Sequence, residues 1–268
     1  MTLVQAHISA DPAALLARRN PVAKLVAAML PALVLLVSVD PVTSTLLLAA
    51  TLASVPAWGL RWRGLVRRLW PLGLAIVTIS LGNAVFTDRK GGASLLDLGP
   101  LLITTESLAT GGTAGLRVAA IALPGVLAVL TIDPVDLADA LVQQLRVPPR
   151  FAYGSLAAFR LAPLTAAEWE VLGRARRARG LGGDRNPFAA LPVLAGRLFA
   201  LLVGAVRRGT QLAAAMDARG FNSAARRTSA RRQAFTSADA ALLAGSAALA
   251  AGAVALAVVT GTWNPVLS

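Results

Sequence analysis

Hydrophobic residues along this chain gather into long unbroken runs, not into the alternation of half-buried strands. Residues 22–39 and 42–60 are two such runs, separated only by Asp40-Pro41. Each comes near the roughly 20 residues a helix needs to cross a bilayer, so the pattern predicts a transmembrane hairpin. Further spans are predicted at 69–86, at about 103–132 and at 238–261, the last nearly all Ala, Leu, Val and Gly. Pro31, Pro56 and Pro71 fall within or at the ends of these runs. Kinks are expected there, because neighbouring helices in a bilayer can satisfy the backbone groups a proline frees. Residues 87–99 read as a glycine-rich loop of mixed charge.

The pattern changes over 133–238, the longest polar region. Asp133-Pro134 closes the fourth span, and Asp133, Asp136 and Asp139 begin a short helix running to about residue 145. Carboxylates there are expected to complement the positive helix N-terminus and not to bind a metal. Pro148-Pro149 and Pro163 are expected to break short helices, after which Leu164, Ala167, Val171, Ala175 and Ala178 form an apolar stripe beneath Arg174, Arg176, Arg177 and Arg179. Beyond the Gly182-Gly183-Asp184 turn and Asn186-Pro187, a second helix repeats Leu191, Leu194, Leu198, Leu201, Ala205, Leu212 and Met216 at helical spacing. The run 189–206 is long enough to cross, but Arg197 would sit mid-bilayer at about 2.5 to 3.5 kcal/mol. A crossing would also carry Arg207, Arg208, Arg219 and the arginines after them outside. This helix is therefore expected to be interfacial or packed helix on helix.

Composition agrees with the pattern: 56% hydrophobic residues, 15% charged and a mean hydropathy of +0.66 describe an integral membrane protein. The net charge of +13 is almost wholly arginine, since Lys24 and Lys90 are the only lysines. Sixteen of the 26 basic residues lie in 133–238, and Arg61, Arg63, Arg67 and Arg68 lie between Trp58 and Trp70. By the positive-inside bias, the N-terminus and 133–238 are cytoplasmic and the C-terminus is outside. Five crossings then leave 23 of the 26 basic residues inside, all but Arg89, Lys90 and Arg117. The expected fold is an all-α polytopic membrane protein with about five transmembrane helices and a cytoplasmic domain of amphipathic helices. The divisions are a tail at 1–21, spans at 22–132, the cytoplasmic domain at 133–238, and the last span with an outer C-terminus at 239–268. The expected location is the plasma membrane.

Candidate chemistry is sparse. The chain has no Cys, one His (His7), no Gly-Lys pair for a phosphate-binding loop and no Gly-x-Ser-x-Gly elbow. No enzyme, cofactor or metal site is expected. The spans also lack the paired ionisable residues of proton or ion relays. What stands out is one tripeptide occurring twice, Ala178-Arg179-Gly180 and Ala218-Arg219-Gly220, each at the predicted end of a helix. Gly there can take the left-handed conformation that closes a helix, and Arg presents a planar fork of donors.

The order of these features resembles the T component, the shared transmembrane subunit, of energy-coupling factor ABC importers. The resemblance rests on Asn20-Pro21-x-x-Lys24, Asp40-Pro41, Leu130-Thr131-Ile132-Asp133-Pro134, Phe159-Arg160-Leu161-Ala162-Pro163, Arg176-Arg177-Ala178-Arg179-Gly180, and Ala215 through Phe221. Arg160-Leu161-Ala162-Pro163 departs from the Arg-Phe-Ile-Pro common in the family. The resemblance implies two cytoplasmic ABC ATPases, alike or different, docked on the two Ala-Arg-Gly helix ends, with Arg179 and Arg219 in acidic grooves. It also implies a small membrane substrate-binding subunit that selects the vitamin or metal ion, with ATP bound by the partners alone. Arg160, Pro163, Arg176, Leu194, Leu198, Leu201 and Met216 would support the helices that carry the signatures. Membrane lipids are expected partners too, with Arg226, Arg227, Arg231 and Arg232 against headgroups. Two other classes remain open: a permease subunit of another ABC family, and a membrane-anchored arginine-rich binder of lipid or nucleic acid. Neither calls for the doubled signature.

Overall fold

The computed structural model describes residues 14–87, 91–97, 102–181, 187–221, 229 and 231–263. Residues 1–13 of the N-terminal tail, with His7, together with Arg89 and Lys90, the Gly182-Gly183-Asp184 turn, and Arg226 and Arg227 lie outside the described residues. The elements are α1 (Pro21–Val37), α2 (Pro41–Ser54) continued by a 3-10 turn (Val55–Trp58), α3 (Trp62–Phe86), β1 (Ser94–Asp97), β2 (Leu102–Thr104), α4 (Thr105–Thr131), α5 (Pro134–Gln144), α6 (Pro149–Ala178), α7 (Pro187–Ala218) and α8 (Ser237–Val259). The chain is an all-α polytopic membrane protein apart from the antiparallel β1–β2 pair. That pair corrects the reading of 87–99 as plain loop.

Among the described residues, five helical stretches are long and apolar enough to cross a membrane: Pro41–Trp58, Trp62–Phe86, Thr105–Thr131, Ala190–Ala218 and Ser237–Val259. The set differs from the sequence reading at two places. Pro21–Val37 is apolar but shorter, and the helix read as interfacial is among the five. A third difference is that α3 begins at Trp62, so much of the basic stretch between the second and third spans is helix, not loop.

Three helix starts share one device. Asn20-Pro21, Asp40-Pro41 and Asp133-Pro134 each place a capping side chain before a proline at the first helical position. The Asn20, Asp40 and Asp133 oxygens accept the N–H groups of Val22, Thr43 and Val135 at 2.9, 2.6 and 2.7 Å. Proline costs nothing there, because the N–H it lacks has no partner within the helix. α4 and α8 instead start with capping boxes, Thr104 with Ser107 and Thr236 with Asp239.

The described residues divide into two compact units, one within 146–232 and the other within 14–145 and 233–263. In the second unit, α4 packs against α1, α2 and α3, and α8 packs against α1 and α2. Val55, Trp58, Leu65, Leu123 and Leu127 form the core at one level, and Leu35, Leu47, Ala120 and Ala253 at another. α3 approaches α4 along Gly111 and Gly115, a small-x-x-x-small pair facing Ser80 and Ala84.

Polar groups tie the helix ends of this unit together. Lys24 is 2% exposed, and its Nζ donates to the Ala17 carbonyl at 2.8 Å and to the Thr131 carbonyl, at the end of α4, at 3.0 Å. Asp239 accepts the Asn20 N–H at 2.9 Å through Oδ1 and the Thr236 N–H at 2.8 Å through Oδ2, so one carboxylate serves the starts of both α1 and α8. Two parts of the quoted sequence pattern, Asn20 to Lys24 and Leu130 to Pro134, are thereby one contact. Arg117 closes the opposite end of α1, its Nε donating to the Leu35 carbonyl at 2.8 Å and a terminal nitrogen to Leu36 at 3.2 Å. Those carbonyls have no partner further along the helix.

Candidate functional site

Both Ala-Arg-Gly tripeptides end helices, and the two ends are built alike. After α6, the Gly180 N–H reaches the Arg177 carbonyl at 3.0 Å and the Leu181 N–H the Arg176 carbonyl at 3.0 Å. After α7, the Gly220 N–H reaches Asp217 at 2.9 Å and the Phe221 N–H reaches Met216 at 3.0 Å. This double closure requires a left-handed residue, and Gly180 and Gly220 have φ of 75° and 71°. The order of residues follows from the closure. Ala178 and Ala218 finish the helices, Arg179 and Arg219 sit at the cap, and Gly turns the chain away. Both arginines are exposed, and among the described residues neither side chain has an ion pair or hydrogen bond.

Left-handed backbone is open to Asn at small cost, while Ala loses roughly 1 to 2 kcal/mol and a β-branched residue more. Thermal stability of variants at Gly180 and at Gly220 is therefore expected to rank Gly, then Asn, then Ala, then Val. Equal stability of Val and Gly would contradict the cap assignment.

α6 and α7 form an antiparallel pair. Arg176 near the end of α6 donates to the Val193 carbonyl near the start of α7 at 2.7 Å. In the middle, Arg197 donates to the Trp169 carbonyl at 2.7 Å and lies 3.8 Å over the Trp169 ring. Farther along, Arg208 holds Glu168 through both oxygens, one of them at 2.8 Å. At the far end, Phe221 meets Tyr153 edge to face, ring centroids 6.2 Å apart. The two signatures therefore stand at opposite ends of the pair, separated by about the length of α7, on the order of 45 Å at 1.5 Å per residue.

Glycine makes the close approach possible. A Cβ on Gly196 would meet the Arg176 guanidinium at 2.8 Å, and one on Gly173 would meet that of Arg197 at 2.6 Å. Each arginine thus lies across a glycine of the opposite helix. Sequence reasoning treated Arg197 only as a cost and Arg208 only as a charge against crossing, and passed over Glu168, Trp169, Gly173 and Gly196. The available signal was an arginine in one helix matched by a glycine in the other.

One expectation needs correction. Pro163 does not break a helix: α6 is continuous over 30 residues with Pro163 inside it. An interior proline costs about 3 kcal/mol, and contacts with α7 on both sides of it, from Tyr153 to Arg176, outweigh that. The stripe of Leu164, Ala167, Val171, Ala175 and Ala178 leaves Leu164 and Val171 49% and 54% exposed. The face toward α7 carries Ala158, Ala162, Thr165, Trp169, Gly173 and Arg176, small residues that let the helices approach.

The remaining support residues divide. Arg176 and Met216 supply the carbonyls that close the two caps, Leu201 lines an apolar groove of about 510 Å³ between the helices, and Leu194 lines a smaller cavity near the first cap. Arg160, Pro163 and Leu198 are exposed. No group of three or more His, Cys, Asp or Glu poised to hold a metal occurs among the described residues.

The family described as cobalt transport protein, CbiQ, matches residues 13–230. An energy-coupling factor transporter transmembrane protein EcfT of Listeria innocua is 30% identical over 235 residues, 84% of this chain and 88% of that protein. Proteins of the same name from Exiguobacterium sibiricum and Heliobacterium modesticaldum are each 28% identical, over 84% of this chain and 88% and 86% of their own lengths.

Proposed function

This chain belongs to the cobalt transport protein family, CbiQ, and from that premise we propose that it is the coupling subunit of an energy-coupling factor importer. In this reading two cytoplasmic ABC ATPases dock at its Ala-Arg-Gly helix ends, and a small membrane subunit binds the vitamin or metal ion to be imported. The observation that carries the reading is the pair of equivalent caps at opposite ends of one antiparallel helix pair, each presenting an arginine without a partner among the described residues. Two like sites facing outward from one rigid element suit two like subunits.

Arg179 and Arg219 would each enter an acidic groove, where a planar fork pairs bidentately with carboxylate. ATP stays with the partners; this chain does no chemistry. When the nucleotide-bound ATPases close, they would draw on both ends of the pair at once. The bonds of Arg176, Arg197 and Arg208 would keep α6 and α7 moving as one piece. The exposed apolar faces, with Leu194 and Leu198 41% and 54% exposed, would pass the displacement to the substrate-binding subunit.

The arginine distribution supports a cytoplasmic N-terminus and a cytoplasmic 133–238 region, with the C-terminus outside. A cysteine placed at Ser223, in a chain free of cysteine, should resist impermeant thiol reagents in intact cells; labelling from outside would refute this orientation. The assembly itself is tested by purifying the tagged chain from its native membrane. ATPase subunits and a small hydrophobic polypeptide should accompany it, and expression alone should lead to aggregation or degradation, because so much apolar surface lacks cover. A stable, transport-competent single polypeptide would overturn the proposal.

A further inference from the structure

Between the last turns of α6 and the first half of α7 lies a cavity of about 260 Å³. Arg176, Arg177 and Arg197 line it together with Leu191 and Leu194, and none of the described residues lining it is acidic. Two of the three guanidinium groups are fixed by the fold. Arg176 is held by the Val193 carbonyl, and Arg197 by the Trp169 carbonyl and ring. Each spends one terminal nitrogen on its brace, leaving further donors of a five-donor fork. Arg197 Nε in particular is buried with no acceptor among the described residues. Arg177 is exposed and makes no ion pair or hydrogen bond among the described residues.

Three cations around one cavity repel one another, and an anion entering it relieves that repulsion while meeting fixed donors. The volume equals several waters at about 30 Å³ each, room for a compact group such as a phosphate. The remaining wall narrows the class. Leu191 and Leu194 are 56% and 41% exposed, and they belong to Ala190–Ala218, a stretch apolar enough to lie in a bilayer. A site half guanidinium and half leucine, on a helix of that kind, matches an anion joined to hydrocarbon. We infer that this cavity binds the phosphodiester headgroup of an anionic membrane lipid, with an acyl chain lying along Leu191, Leu194 and Leu198. The site is distinct from the two caps, because neither Arg179 nor Arg219 lines it, and it does not depend on the coupling role.

The test uses the full chain, co-expressed and purified with its partner subunits, in phosphatidylcholine nanodiscs containing a small fraction of photoactivatable phosphatidylglycerol. Crosslinking to the segment from Gly173 to Arg197 is expected to saturate and to be competed by unlabelled phosphatidylglycerol, but not by phosphatidylcholine or millimolar inorganic phosphate. Arg177→Gln removes no contact within the fold, so it should weaken phosphatidylglycerol binding about 10-fold or more, the worth of one hydrogen bond between charged groups. Arg197→Gln should weaken it as well. Equal labelling by phosphatidylcholine, or unchanged binding in both variants, overturns the inference. Competition by inorganic phosphate would reassign the cavity to a free anion. Loss of co-purifying ATPase in Arg177→Gln with lipid labelling intact would reassign it to a partner's carboxylate.

Discussion

Replacing Arg179 or Arg219 by alanine is expected to weaken ATPase assembly by about 30-fold to several thousand-fold while leaving membrane insertion intact. The range follows from the 2 to 5 kcal/mol typical when one member of a desolvated interfacial charge pair is removed and the other is left buried alone. Neither side chain has an ion pair or hydrogen bond among the described residues, so truncation should not disturb the helices that carry them. Single loss should cripple uptake, because each arginine serves one of two ATPases. Lysine should rescue poorly, since a point charge lacks the fork that matches a carboxylate. Arg174→Ala is the contrasting case. Its pair with Glu170 is an exposed contact at 3.8 Å, worth at most about 1 kcal/mol, and assembly should persist.

The second large effect is expected at Gly111. A Cβ there would meet the Ala84 backbone nitrogen at 2.9 Å and the Ala84 Cβ at 2.8 Å, so relief requires α3 and α4 to separate. Gly115 faces mainly the Ser80 side chain, which can turn away. Gly111→Leu should therefore cost more than 3 kcal/mol, beyond the usual 1 to 3 kcal/mol of overpacking, and abolish recovery of folded protein. Gly115→Ala should cost less than Gly111→Ala. Gly112→Leu, at a position with nothing within 4 Å, should be tolerated. Thermal unfolding in detergent separates the three, and equal losses at Gly111 and Gly112 would contradict the α3–α4 packing.

Local chemistry was legible in the sequence. Asn20-Pro21, Asp40-Pro41 and Asp133-Pro134 start helices where read, and Gly180 and Gly220 end them with the expected left-handed turn. Such signals act within five residues, so one chain suffices to show them. What depends on a neighbour was not legible. Nothing within α6 says that its glycine and alanine face meets α7 while Leu164 and Val171 stay exposed. Pro163 was misread for the same reason, since the contacts that outweigh its cost come from another helix. Arg197 was priced as an isolated charge in an apolar run, whereas the Trp169 carbonyl and ring receive it. The two signatures were read as a pair, but only the antiparallel contacts from Arg176 to Tyr153 place them at opposite ends.

The central claim, that the two Ala-Arg-Gly ends hold the ATPases, is tested most directly by the double variant Arg179→Ala, Arg219→Ala. The tagged chain is expressed with its partners, ATPase retained on it is quantified, and substrate uptake is followed in the same cells. The account predicts a normal amount of the chain in the membrane, with retained ATPase and uptake both reduced to background. Normal retention and normal uptake would contradict it and leave both arginines as ordinary helix caps.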